Sequence, residues 1–206
     1  MPKKTRKKRR LGHSGNSCVR RRAEHQDHVW TWDFIHDRTI GGQPLKWLAI
    51  TDEFTRECLA LDVDRGITSD RVVEILTNLF FTRGVPKHIR SDNGPEFIAE
   101  AIRRHGSQAG LEMLYIEPGS PWENGFAESF FSRLRDELLN VEEFMNLTEA
   151  KWFANRRIHE HNEERPHSSL GYQTPSEFAS QCAASVRATP SLQQHTVEPP
   201  TQPVLS

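Results

Sequence analysis

One α/β domain, a mixed sheet with helices packed against it, is predicted by three features of this 206-residue chain. Short segments with apolar residues on both faces read as buried strands. Later segments switch to helical periodicity, and capping signatures stand where several of them begin. A single hydrophobic core usually organises about 100 to 200 residues, so one core plus tails is expected.

Residues 1–26 carry no sustained apolar periodicity and are expected to be disordered without a partner. Order is expected to begin at HVWTWDFIHD, where Val29, Thr31, Asp33 and Ile35 alternate with Trp30, Trp32 and Phe34. Gly41 and Gly42 turn the chain into LKWLAITDEFT and then CLALDVD, giving an antiparallel meander of three strands. In SDRVVEILTNLFFTRG the period changes: Val72, Val73, Leu76, Leu79 and Phe80 share one helical face, with Ser69 as N-cap and Gly84 past the end. KHIRSD reads as a short strand, PEFIAEAIRRHG as a helix opened by Pro95, and LEMLYIE as a strand. A long helix should start at Ser120, Pro121 and Glu123, which supply N-cap, first turn and capping-box partner, and run through ENGFAESFFSRLRDELLN. TEAKWFANRRIHEHN is a further helix, capped by Thr148, and TPSEFAS repeats the capping box with Thr174, Pro175 and Glu177. The sheet thus has three antiparallel strands plus two further strands, flanked by helices. From about Ala183 the composition turns to Pro, Ser, Thr and Gln, so a disordered tail at 183–206 follows a core at 27–182.

Charge is unevenly spread. The net charge is −1, but ten basic residues (Lys3, Lys4, Arg6, Lys7, Lys8, Arg9, Arg10, Arg20, Arg21, Arg22) and no acid stand in residues 1–22. Of 27 basic residues, 17 remain against all 28 acids, so the rest is acidic. A basic arm on an acidic body suits phosphate contacts to nucleic acid, which need no base sequence. No apolar run reaches the roughly 18 residues that span a bilayer, and Cys18, Cys58 and Cys182 form no CxxC pair. A soluble, cytoplasmic protein without membrane contact or disulfides is expected. His13, Cys18, His25 and His28 match no common zinc-finger spacing.

Three acids stand out by position. Asp33 lies within the first strand, Asp92 ends KHIRSD, and Glu128 sits one to two turns inside the long helix. Should the two strands be neighbours, the three carboxylates converge. Like charges raise each other's pKa, and a hard divalent cation such as Mg²⁺ or Mn²⁺ relieves that conflict with oxygen ligands. Asp92 in SDNGPEF also suits a plain turn. Asp37, Asp52, Asp62 and Asp64 read as solvated or turn-capping, and Glu96 as a first-turn acid favoured by the helix dipole. Trp30, Trp32, Trp122, Phe126, Phe130 and Phe131 read as core, while His159, His161 and His167 read as surface or DNA-facing.

WTWDFIHD, SDNGPEF and SPWENGFAESFFSRLRDELLN resemble the catalytic core of bacterial insertion-sequence transposases of the OrfB, retroviral-integrase type. The 35 residues between Asp92 and Glu128 match that family's D,D(35)E spacing, and NEERPHSSLGYQTPSEF resembles its closing segment. The resemblance covers roughly residues 28–180. It implies a ribonuclease H-like fold in which Asp33, Asp92 and Glu128 are catalytic and hold two Mg²⁺ (or Mn²⁺). It also implies DNA cleavage followed by 3′-OH strand transfer, with Arg135, seven positions after Glu128, on the DNA. Arg133, Asn124 and the basic arm join Arg135 as DNA contacts. The implied partners are double-stranded DNA at transposon ends and target, further copies of the chain, and a separate helix-turn-helix subunit. The implied location is the bacterial cytoplasm, at the nucleoid when bound. His161 stands where many relatives have Tyr, and Phe131-Ser132 where Asn-Gly is common. Relatives carry an upstream helix-turn-helix region and this chain starts after it, so the alternative expectation is a catalytically idle DNA-binding remnant.

Overall fold

The computed structural model describes residues 22–91, 110–115 and 125–188. Strands β1 (Val29–Arg38), β2 (Pro44–Asp52) and β3 (Cys58–Asp64) precede helix α1 (Ser69–Arg83), and β4 (His88–Ser91) and β5 (Glu112–Tyr115) follow it. Then come α2 (Gly125–Leu134), α3 (Leu147–His159) and α4 (Pro175–Ala188). The sheet order is β3-β2-β1-β4-β5. The first three strands are antiparallel, as the sequence predicts, and β4 runs parallel to both β1 and β5. The helix expected at 95–106 and the start of the long helix at Ser120 lie outside the described residues.

Alternation along β1 sorts the core into two. Trp30, Trp32, Leu48, Ile50 and Ile89 face α1, packing with Val72 and Leu76. Ile35, Leu45, Trp47, Ala49, Leu61 and Val63 face the opposite way, under Phe130, Phe131 and Leu134 of α2 and Ala150 and Ala154 of α3. Trp30, Trp32 and Trp47 are fully buried. At about 25 cal/mol per Å² each indole supplies roughly 5 kcal/mol of transfer free energy, which anchors β1 and β2 between the helical layers.

Gly42, at φ 75°, closes the β1–β2 hairpin in the left-handed conformation a glycine accepts without strain. The α1 N-cap is Thr68 rather than Ser69: Thr68 has extended backbone, and its hydroxyl accepts from the Arg71 N–H. Asn146 rather than Thr148 caps α3, accepting from the Glu149 N–H at 3.0 Å while the Glu149 carboxylate accepts from the Met145 N–H at 2.6 Å. The capping box of α4 is as predicted, Thr174 Oγ1 accepting from Glu177 N at 3.2 Å and Glu177 Oε2 from Thr174 N at 2.9 Å. The long helix does not stay α-helical. Its last turn, Arg135–Leu139, is a π-helix ended by a 2.8 Å bond from Asn140 N to Arg135 O.

The closing segment departs most from expectation. His161 and His167 are buried, at 3% and 5% exposure, rather than on the surface. Asn162 explains why: its Oδ1 accepts from Cys58 N at 2.8 Å and its Nδ2 donates to Cys58 O at 3.0 Å, so a side chain pairs with the start of β3 as a strand would. His161 Nε2 lies 3.0 Å from the Arg56 carbonyl in the β2–β3 turn. Arg157 and Arg165 both donate to Glu137, clamping the segment to the π-helical turn. Burial would raise the Glu137 carboxyl, but these two guanidinium groups hold it below the ordinary range.

Candidate active site

Asp33 is half-buried on the face of the sheet that α2 and α3 cover, since it shares the parity of Ile35. Its cross-strand partner is Ala49, and its Oδ1 accepts from the Phe34 N–H at 2.7 Å. α2 packs on β1 and presents Glu128, which is exposed. Two of the three sequence-predicted acids therefore sit on elements in direct contact. β4 ends at Ser91, and Asp92 lies outside the described residues, as do Asn124 and the arm residues from Lys3 to Arg21. Among the described residues no three His, Cys, Asp or Glu gather as a metal cluster. Arg22 and Arg135 are exposed, and Arg133 is half-buried.

The root of β4 is held by an ion pair that the sequence reading missed. Arg90 Nε donates to Glu53 Oε1 at 2.7 Å, with side-chain exposures of 5% and 0%. A pair so placed costs about 3–5 kcal/mol when one partner is removed, so it fixes the strand that leads to Asp92.

Beside Glu128 a cavity of about 250 Å³ opens between the end of the sheet, α2 and the closing segment, lined by Ser129, Arg133, Arg56, His167, Ser168 and Ser169 among others. Asp52 lines it too and is 1% exposed, which corrects the expectation of a solvated acid; its capping role stands, since Oδ1 accepts from the N–H groups of Phe54 and Thr55. Burial pushes Asp52 up to about 6, against the backbone N–H groups that stabilise its charge. His161 and His167 are pushed down to about 4, chiefly by burial. Asp62 and Asp64 are engaged by Arg71 and Lys151 respectively. No sequence pattern marked the histidines as buried, because the polar string HEHNEERPH carries no apolar periodicity.

Among the described residues no helix is long and apolar enough to cross a membrane.

Two family models described as integrase core domain match residues 23–121 and 109–175. The chain is 41% identical over 152 residues to the uncharacterized 39.2 kDa protein of insertion element IS476 from Xanthomonas euvesicatoria, covering 73% of this chain and 44% of that protein. It is 37% identical to the uncharacterized 31.7 kDa protein of insertion element IS407 from Burkholderia multivorans, covering 81% of this chain and 60% of that protein. Transposase InsD of insertion element IS2D from Escherichia coli is 31% identical, over 69% of this chain and 45% of that one. The chain thus spans about half the length of the curated relatives it matches. Among solved structures, the magnesium complex of the HTLV-2 integrase catalytic core domain superposes with a TM-score of 0.60 at 17% identity, covering 77% of this chain and 99% of that one. The fold is ribonuclease H-like. The chain belongs to the integrase core domain family, and the relatives named above are proteins of bacterial insertion elements.

Proposed function

We propose that this chain is the catalytic core of a DNA transposase, with Asp33, Asp92 and Glu128 as its carboxylate triad and residues 27–182 as the working unit. The observation that carries the reading is the register of β1 with β4. Val29, Trp30 and Thr31 of β1 each pair with the residue 59 positions on, His88, Ile89 and Arg90, and Asp92 stands 59 positions after Asp33 in the sequence. Arg90 has the parity of Thr31 and so of Asp33, and Asp92 follows Arg90 by two.

The donor set fits Mg²⁺ or Mn²⁺, since Asp33 and Glu128 offer the hard carboxylate oxygens that such ions prefer. When bound, a pair of such ions supplies charge neutralisation for the attacking and leaving oxygens of a phosphodiester. Asp33 is kept in place by its bond to Phe34 N, and Glu128 by the packing of Phe130, Phe131 and Leu134 beneath it. In the first step water attacks phosphorus and the 3′-oxygen leaves as a 3′-hydroxyl, the other product keeping the phosphate. In the second that hydroxyl attacks a target phosphodiester and displaces its 3′-oxygen, so one bond breaks for each that forms. Arg135 and the basic arm hold the backbone of duplex DNA. The chain works in the bacterial cytoplasm as a homo-oligomer on DNA, with a helix-turn-helix subunit for sequence readout.

A strand-transfer assay with Mg²⁺ or Mn²⁺ tests this. Glu128→Gln keeps the shape and loses the charge, and should abolish both cleavage and joining. Comparable metal-dependent activity in that variant would remove Glu128 from the site.

A further inference from the structure

The cavity beside Glu128 has the chemistry of an anion site. Arg133 makes no ion pair among the described residues, and its guanidinium donates instead to His167 Nδ1 at 3.3 Å. That bond requires Nδ1 to accept, so the imidazole proton resides on Nε2. Nε2 is buried and has no hydrogen-bond partner among the described residues, although a buried donor is nearly always satisfied. The hydroxyls of Ser129, Ser168 and Ser169, all exposed, make no hydrogen bond among the described residues either, and the Arg56 side chain completes the wall.

The loop that carries these groups is built to hold them. His167 N donates to Gln173 O at 2.9 Å, and the His167 carbonyl accepts from both Leu170 N and Tyr172 N at 2.9 Å. His161 packs its ring edge-on to His167, with centroids 4.8 Å apart. The acid in the wall, Asp52, is turned to the backbone, where three N–H dipoles offset its charge: it accepts from Asp27 at 2.6 Å, Phe54 at 2.6 Å and Thr55 at 3.2 Å. A cavity of about 250 Å³ has room for a tetrahedral oxyanion with water around it, since a water takes about 30 Å³.

We propose that this cavity seats one backbone phosphate of the DNA, held by Arg133, Arg56, His167 Nε2–H and the serine hydroxyls. Ser129 and Arg133 lie one and five positions after Glu128, so the seated phosphate flanks the reacting bond rather than containing it. The inference rests on the DNA-processing reading above and adds a positioning contact to it.

The test is binding, measured by fluorescence anisotropy on a labelled duplex in which one phosphate at a time is a neutral methylphosphonate. Wild type should show a position where neutralisation weakens binding roughly tenfold, the effect of losing one charge-assisted contact. Arg133→Gln should be insensitive there, and its slope of log K against log salt should be shallower by about 0.9. Arg133→Lys restores the charge without the fork, so it should recover the slope but only part of the affinity. His167→Gln, which retains a donor, should fall between. A scan in which wild type and Arg133→Gln lose affinity equally at every position overturns the proposal. So does a flat scan in which inorganic phosphate alone raises the wild-type Tm but not that of Arg133→Gln, since the cavity then takes free phosphate. No duplex binding by wild type at all would sink the DNA reading and this one together. Coupled binding with no strand transfer would sink only the catalytic reading.

Discussion

Lowering pH from 6.5 towards 5 should destabilise the fold by about 1 kcal/mol per pH unit, and the slope in that window can be assigned to three buried groups. His161 and His167 are held down to about 4, chiefly by burial, so below pH 6.5 the unfolded imidazoles take up protons that the native ones refuse. Each refusal costs up to about 1.4 kcal/mol per pH unit, because stability rises with pH wherever the unfolded chain binds more protons. Asp52 works in the other direction: raised to about 6 from 3.8, it binds a proton in the native state that the unfolded chain lacks, so its contribution grows as pH falls through that window. Two histidines against one aspartate leave a net slope of about one proton. Asp52→Asn should therefore roughly double the slope, and His161→Gln should bring it near zero, whatever each does to stability at pH 7. Urea unfolding followed by tryptophan fluorescence at pH 5, 6 and 7 measures this directly, since Trp30, Trp32 and Trp47 are fully buried and report global unfolding. Slopes that are the same in wild type and both variants would refute the assignment.

Asn162→Ala should cost about 3 kcal/mol, because it strips the partners from both the N–H and the C=O of buried Cys58. A urea midpoint shifted by less than a third of that, at unchanged m-value, would mean water replaces the amide. Asp92→Asn should raise the Tm of the metal-free protein by relieving repulsion among the three acids, and should show a smaller Tm increase on adding Mg²⁺ than wild type. Equal Mg²⁺ responses would remove Asp92 from the ligand set.

The strands were legible because β1 and β2 are apolar on both faces, a pattern that only a two-sided core produces. Helix existence was legible as well, yet two caps shifted by one or two residues. Thr68 and Ser69, like Asn146 and Thr148, are nearby side chains that can each cap a helix, and the backbone angle decides between them. The closing segment was misread for a different reason. Its burial comes from pairing across 104 residues, Asn162 to Cys58, and no local pattern encodes a partner so distant. The π-turn at Arg135–Leu139 is likewise set by tertiary contacts, through the grip of Arg157 and Arg165 on Glu137, rather than by any periodicity. The Arg90–Glu53 pair was invisible because neither residue stands apart from ordinary surface charge in the sequence.

Asp33 shows how much a strand's parity can say about a site. It occupies a position that, by alternation, belongs to the core between Thr31 and Ile35, where an aspartate is a poor strand former. Its carboxylate accepts from the Phe34 N–H, a bond that an asparagine could make without placing a charge on a covered face. The residue opposite is Ala49, flanked on the same face of β2 by Trp47 and Thr51, so the smallest side chain of that row lies next to the acid. A larger residue there would lift α2 away from β1 and carry Glu128 with it. An acid on a covered face of the sheet, beside a small residue that leaves room for a second acid, is what a carboxylate site requires of its scaffold. On the proposed catalytic reading, the local sequence rule fails at Asp33 because a cost in stability is accepted where the charge is used.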